Sequence, residues 1–133
     1  MCTILIEKCK TKQIGYKVVG EESNKVVHSL YYAAYTWRKG INRAWRRKFV
    51  AKNPAGKFDG IFHCFANLED AQKFLEQWNT IYREKQNIRI FKIIKITLTK
   101  NVWKGVINAM GGNYDGLPAV CGSTAYWDGK FIT

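Results

Sequence analysis

Apolar positions recur along this chain with two different periods, and the change between them is sharpest over residues 60–82. Gly60-Ile61-Phe62-His63-Cys64-Phe65 is a short, nearly all-apolar run that suits a strand covered on both faces. Leu68, Ala71, Leu75, Trp78 and Tyr82 then follow in steps of three and four, with Phe74 and Ile81 widening the stripe. That spacing predicts an amphipathic helix over 67–82. Asn67 is placed to cap a free first-turn N–H, and Glu69 and Asp70 sit where the positive end of the helix dipole favours acids. Lys73, Glu76 and Gln77 fall on the outward face.

The rest of the chain reads mainly as strand. Residues 3–9 alternate loosely, and Gln13 to Val19 is β-branched and aromatic. Gly20 to Lys25 reads as a turn, which returns Val26 to Tyr32 as a hairpin partner. Ile88 to Leu98 carries apolar residues on both faces, as a central strand should. Ala119 to Trp127 closes the chain as a strand, after a Gly-rich loop over 111–118. Two stretches predict further helix. Trp103, Val106, Ile107 and Met110 fit one side of a short helix over 101–110. Trp37, Ile41, Trp45 and Phe49 recur every four residues and would line one helical face, although Gly40 argues equally for an extended arm and a loop followed by a short helix. The resulting expectation is an α+β fold: a mainly antiparallel sheet of about five or six strands, one main helix (67–82) and one or two short helices.

At 133 residues the chain is expected to be a single domain over 1–133. No run approaches the roughly 20 apolar residues that span a bilayer. An acid, Glu7, follows a very short apolar run at the N-terminus, which does not suit a signal peptide. No membrane association and a cytoplasmic location are therefore expected. Cys2, Cys9, Cys64 and Cys121 show no CxxC spacing, so reduced thiols are expected rather than structural zinc or a disulfide framework.

Charge changes the picture. The formal net charge is +12, large for this length, and it points to an anionic partner: nucleic acid, a nucleotide or an acidic protein surface. Nine cations and no acid lie between Glu22 and Asp59. Six of them fall between Arg38 and Lys48, where mutual repulsion costs on the order of tenths of a kcal/mol per close pair, so stability alone would not select them. The basic–aromatic stretch 35–52 is thus the main candidate site. Arg38, Lys39, Arg43, Arg46 and Arg47 would hold phosphates, and Tyr35, Trp37 or Trp45 would stack on a base. The competing reading of the tryptophans is plain core packing.

Other candidates carry less chemistry. His63 lies in the middle of an apolar strand as a catalytic or phosphate-binding candidate, and with His28 it suggests a two-histidine phosphoesterase, but neither histidine has the accompanying Ser or Thr at the spacing such enzymes need, and the competing reading is a structural buried histidine. Cys64 and Cys121 lie in apolar strands that disfavour a thiolate. The loop Gly111 to Gly116 lacks a P-loop ending, though Asn113 and Tyr114 are candidates for a ligand lip. Carboxylates are few: Glu69 and Asp70 are accounted for by the helix start, and no pair is spaced for acid–base work or metal ligation.

Gly15-Tyr16-Lys17-Val18-Val19, the Tyr35/Trp37/Gly40 spacing, the Gly60-x-Phe62-x-Cys64-Phe65-x-x-Leu68-Glu69-x-Ala71 run and Ile90-Phe91-Lys92 together resemble a group of small, mostly uncharacterised proteins carried by phages and bacteria. The resemblance spans roughly residues 14–98 through motifs of low specificity. It implies a phage or prophage setting, with the host cytoplasm as the place of action, and small accessory proteins of that kind often act against host defences. No catalytic residue comes with it. The expected function is non-catalytic binding of an anionic nucleotide-type ligand, in that setting a counter-defence protein sequestering a cyclic-nucleotide or ADP-ribose-type signal, without a cofactor or metal. The alternatives are direct nucleic-acid binding through residues 35–52 and an inhibitor docking on an acidic host protein. A nucleotide-processing enzyme comes last. A homo-oligomer is left open.

Overall fold

A computed structural model describes residues 2–30, 35–44, 61–82, 90–108 and 114–132. The architecture corrects the expected α+β fold of about five or six strands: ten strands form one sheet, and the described residues hold a single helix. In chain order the elements are β1 (Cys2–Lys8), β2 (Gln13–Glu21), β3 (Val27–Ser29), β4 (Thr36–Trp37), β5 (Gly40–Arg43), β6 (Phe62–Phe65), α1 (Leu68–Tyr82), β7 (Ile90–Lys100), β8 (Trp103–Asn108), β9 (Pro118–Gly122) and β10 (Thr124–Phe131). The sheet runs β1-β8-β9-β6-β2-β7-β10-β5, with β3 on β2 and β4 on β3, and its registered pairs are antiparallel.

The missing short helices have physical reasons. Trp103 to Asn108 also satisfies the two-residue period: Ile107 is buried, while Lys104 and Asn108 are exposed. Asn101, in a left-handed conformation (φ 52°), turns the chain straight back after β7, and β8 then finds hydrogen-bonding partners in both β1 and β9. An isolated short helix there would forgo both ladders. Trp37 and Ile41 do not share a helical face. Trp37 is buried in β4, whereas Ile41 is 69% exposed in β5, and Gly40 (φ 104°) turns the chain between them. The remainder of that expected helix, 45–50, lies outside the described residues.

Helix α1 agrees with the expected span to within a residue. The Asn67 carbonyl accepts from Ala71 N (3.3 Å), and its side-chain amide donates to Asp70 Oδ2 (3.5 Å). Ala71 and Phe74 are buried, and Lys73, Glu76 and Gln77 are exposed. No helix among the described residues is long and apolar enough to cross a membrane.

Two apolar clusters lie on opposite faces of the sheet, because neighbouring residues of a strand point opposite ways. Val18, Phe65, Ile93 and Ala119 face α1 with Ala71 and Phe74. Their neighbours Val19, Cys64, Ile94 and Val120 face a second cluster with Ile96, Leu98, Trp37, Phe62 and Trp127. β9 and β10 are one kinked strand that leaves β8 and β6 to join β7 and β5. At the kink Ser123 N donates to Lys100 O (2.9 Å), and a Cβ on Gly122 would sit 3.2 Å from the Leu98 side chain. The sheet thus curls back over the second cluster, and Leu98 (0% exposed) sits at the closure. Leu98→Ala is expected to cost about 2–5 kcal/mol in denaturant unfolding, against less than about 0.5 kcal/mol for a polar replacement of the exposed Lys104.

Candidate anion-binding groove

The described part of the basic–aromatic stretch is built around one buried side chain. Asn42 is 3% exposed and uses its whole amide. Its Oδ1 accepts from Arg38 N (3.0 Å) and from the Tyr35 hydroxyl (3.0 Å), while its Nδ2 donates to Arg38 O (2.8 Å) and Gly40 O (3.1 Å). These bonds fix the turn between β4 and β5. Gly40 supplies the left-handed backbone the turn requires. Pairing of β5 with β10, from Gly40↔Trp127 to Arg43↔Thr124, then holds the turn against the sheet edge.

The two aromatics of this segment are used differently. The Trp37 ring is 3% exposed, lies 4.6 Å from Phe62 between centroids, and donates its indole N–H to Ser29 Oγ (2.9 Å). It is enclosed in the core and has no free face for a base, so the core reading holds for it. Tyr35 is half-buried, edge-on to Trp37 and Phe62 at 5.2 and 5.0 Å. Loss of hydration raises its hydroxyl to about 12, so it stays a neutral donor. Tyr35, Thr36, Arg38, Ile41, Asn42 and Arg43 line an open groove. Arg38, Lys39 and Arg43 are exposed, and none of them forms an ion pair with a carboxylate among the described residues. Trp45, Arg46, Arg47 and Asn113 lie outside the described residues.

A second basic groove, not singled out from the sequence, lies next to the first. Lys8, Lys10, Thr11, Lys12, Thr99 and Asn101 line it. The kink between β9 and β10 joins the two: Asn101 Nδ2 donates to Ser123 Oγ (2.8 Å), and Ala44 N donates to Ser123 O (2.9 Å). The alternation of lysines at 8, 10 and 12 was the available signal. Nothing local ties that turn to residue 43; only the sheet topology does.

The remaining candidates lie elsewhere. Tyr114 packs edge-on to Phe74 (5.3 Å), and its hydroxyl donates to Gln77 Oε1, so it is anchored on α1. His28 faces Glu22 (3.5 Å). His63 instead bonds Thr3 Oγ1 through Nδ1 (2.9 Å), with Cys121 Sγ 3.7 Å away. The two histidines thus engage separate partners. Lys17 Nζ donates to the His63 carbonyl (3.0 Å). Burial, reinforced by the Lys17 ammonium, lowers His63 to about 3, and burial raises Cys64 to about 11 and Cys121 to about 12. At neutral pH neither the thiol nor the imidazole ionises, so the Cys121–His63 contact lacks the thiolate–imidazolium character of a nucleophile. Cys9, Cys64 and Cys121 are free thiols, and among the described residues no cluster of His, Cys, Asp and Glu could hold a metal ion.

His63 gives a pH-dependent stability with a definite sign. Its folded value lies below the unfolded value near 6.5, so the unfolded chain takes up the proton first. Stability contributed by this group is complete above pH 6.5 and falls as pH drops towards about 3. In urea unfolding the stability should fall as pH is lowered from 6 to 4, and His63→Gln should remove the part of that fall that this residue causes. An identical pH profile in the variant would place the proton uptake elsewhere.

No family model, no curated protein and no solved structure matches this chain.

Proposed function

We propose that this protein is a non-catalytic binder of nucleic acid, held through backbone phosphates on the open groove of Tyr35 to Arg43. The observation that carries this reading is the Asn42-locked turn. It spends its polar capacity on fixing the backbone and leaves Arg38, Lys39 and Arg43 exposed, with no carboxylate partner among the described residues. Exposed cations on a fixed backbone suit phosphate contacts that position a chain, since such contacts need charge and spacing rather than enclosure. The adjoining groove of Lys8, Lys10 and Lys12 extends the same field around Ser123.

Openness separates this reading from sequestration of a small nucleotide-type signal. A sequestering site buries most of its ligand, about 70–90% of the surface, and the groove of Tyr35 to Arg43 and the lysine groove beside it are open to solvent. In the phage setting that the sequence resemblance implies, the proposed partner is therefore host or phage nucleic acid before a diffusible signal.

The test is salt dependence. Affinity for a labelled oligonucleotide should fall linearly in log–log form with salt, and Arg38→Ala with Arg43→Ala should flatten that slope by about 1.4 for a single strand, about 0.7 per lost phosphate contact. A salt-insensitive complex, or an unchanged slope in the double variant, would refute phosphate binding at this groove. Binding of a cyclic dinucleotide with a thermal shift of several degrees and no oligonucleotide binding would restore the sequestering reading.

A further inference from the structure

The groove does not end at the sheet edge. Ile41 and Arg43, which line it, also belong to the outer face of the sheet. On that face Ile41 is registered with Tyr126, Tyr126 with Thr97, and Thr97 with Ile14, so one row crosses β5, β10, β7 and β2. Three of its four members are large and solvent-facing: Ile41 is 69% exposed, Tyr126 46% and Ile14 46%. By the two-residue period Ile14 shares its face with Val18, on which α1 packs, so the row lies on the helix-bearing face beyond the helix's footprint. Exposed cations flank it: Arg43 two residues along on β5, Lys95 two residues along on β7, and Lys12 just before β2. The nearby acid, Asp128, is engaged in the turn, where its Oδ1 accepts from Lys130 N (2.9 Å).

We infer that this row is a base-stacking platform and that the nucleic acid bound is single-stranded, with Tyr126 under a base and Ile41 and Ile14 against its neighbours. The inference rests on the phosphate-binding reading of the adjoining groove and specifies its ligand. A duplex presents phosphates but keeps its base faces stacked on one another, so it has no use for an exposed ring in mid-sheet. An unpaired strand offers π-faces at every nucleotide, and an open sheet with a projecting aromatic between cations serves both the bases and the backbone. A scattered surface tyrosine would need no account. Here the ring shares one registered row with two exposed isoleucines, directly beside Ile41, which lines the basic groove, and across Thr97 from Ile14.

The experiment is fluorescence anisotropy with a labelled 12-nucleotide oligothymidylate and a 12-base-pair duplex at fixed salt, on the wild-type chain and on Tyr126→Leu, Tyr126→Phe and the Arg38→Ala/Arg43→Ala double variant, each checked for an unchanged melting temperature. Expected are tighter binding of the single strand than of the duplex, about tenfold or greater loss in Tyr126→Leu, and near-normal binding in Tyr126→Phe, which keeps the ring. Equal affinity for strand and duplex, or full affinity in Tyr126→Leu while the arginine variant is weakened, overturns the platform and leaves the phosphate groove standing. Binding of neither probe by the wild-type chain overturns the groove itself.

Discussion

Everything described here hangs on the ladder between β2 and β7. Nine registered pairs join Gln13–Glu21 to Leu98–Ile90, and both strands are apolar on both faces over much of that length. Such a pair cannot sit at an edge or under one layer. One face requires α1, and the other requires the sheet to curl until β9, β10 and the β4 hairpin reach the same cluster. The kink at Ser123 is the geometric consequence, because one strand must leave β6 and β8 and join β7 and β5.

That constraint positions the candidate site. Bringing β10 beside β7 creates the edge on which β5 pairs, and Asn42 holds the β4–β5 turn that presents Arg38 and Lys39 beside Arg43. The same curl brings the Lys8–Lys12 turn next to Ser123 and leaves part of the helix-bearing face uncovered, with Tyr126 on it. The neutral His63–Cys121 contact belongs to the interior and offers no ionised nucleophile at neutral pH.

Local signals in the sequence were legible where one period dominated. The stripe from Leu68 to Trp78 gave α1, and the two-faced run ending at Leu98 gave the central strand. Residues 103–108 were ambiguous because their apolar positions satisfy both periods over so short a length; the choice was made by partners on β1 and β9, which no local reading contains. The arginines of 38–43 were visible as charge without compensation. The fate of Trp37 was not, since its burial depends on Phe62, remote in sequence, and on Ser29 of the strand it pairs with. Tyr126 and the lysines at 8–12 were missed for the same reason: their significance comes from register across four strands, not from neighbours along the chain.

The central claim is that the basic turn of β5 and the open face beside it form one nucleic-acid surface. Its most direct test is an amide chemical-shift map of the isotope-labelled protein titrated with a short oligothymidylate. Perturbations concentrated at residues 35–44, 95–97 and 124–128, with the Tyr126 ring signals shifted by a stacked base, are the expected result. Perturbations confined to the β1 edge or the exposed side of α1, with residues 35–44 and Tyr126 unmoved, would contradict the account.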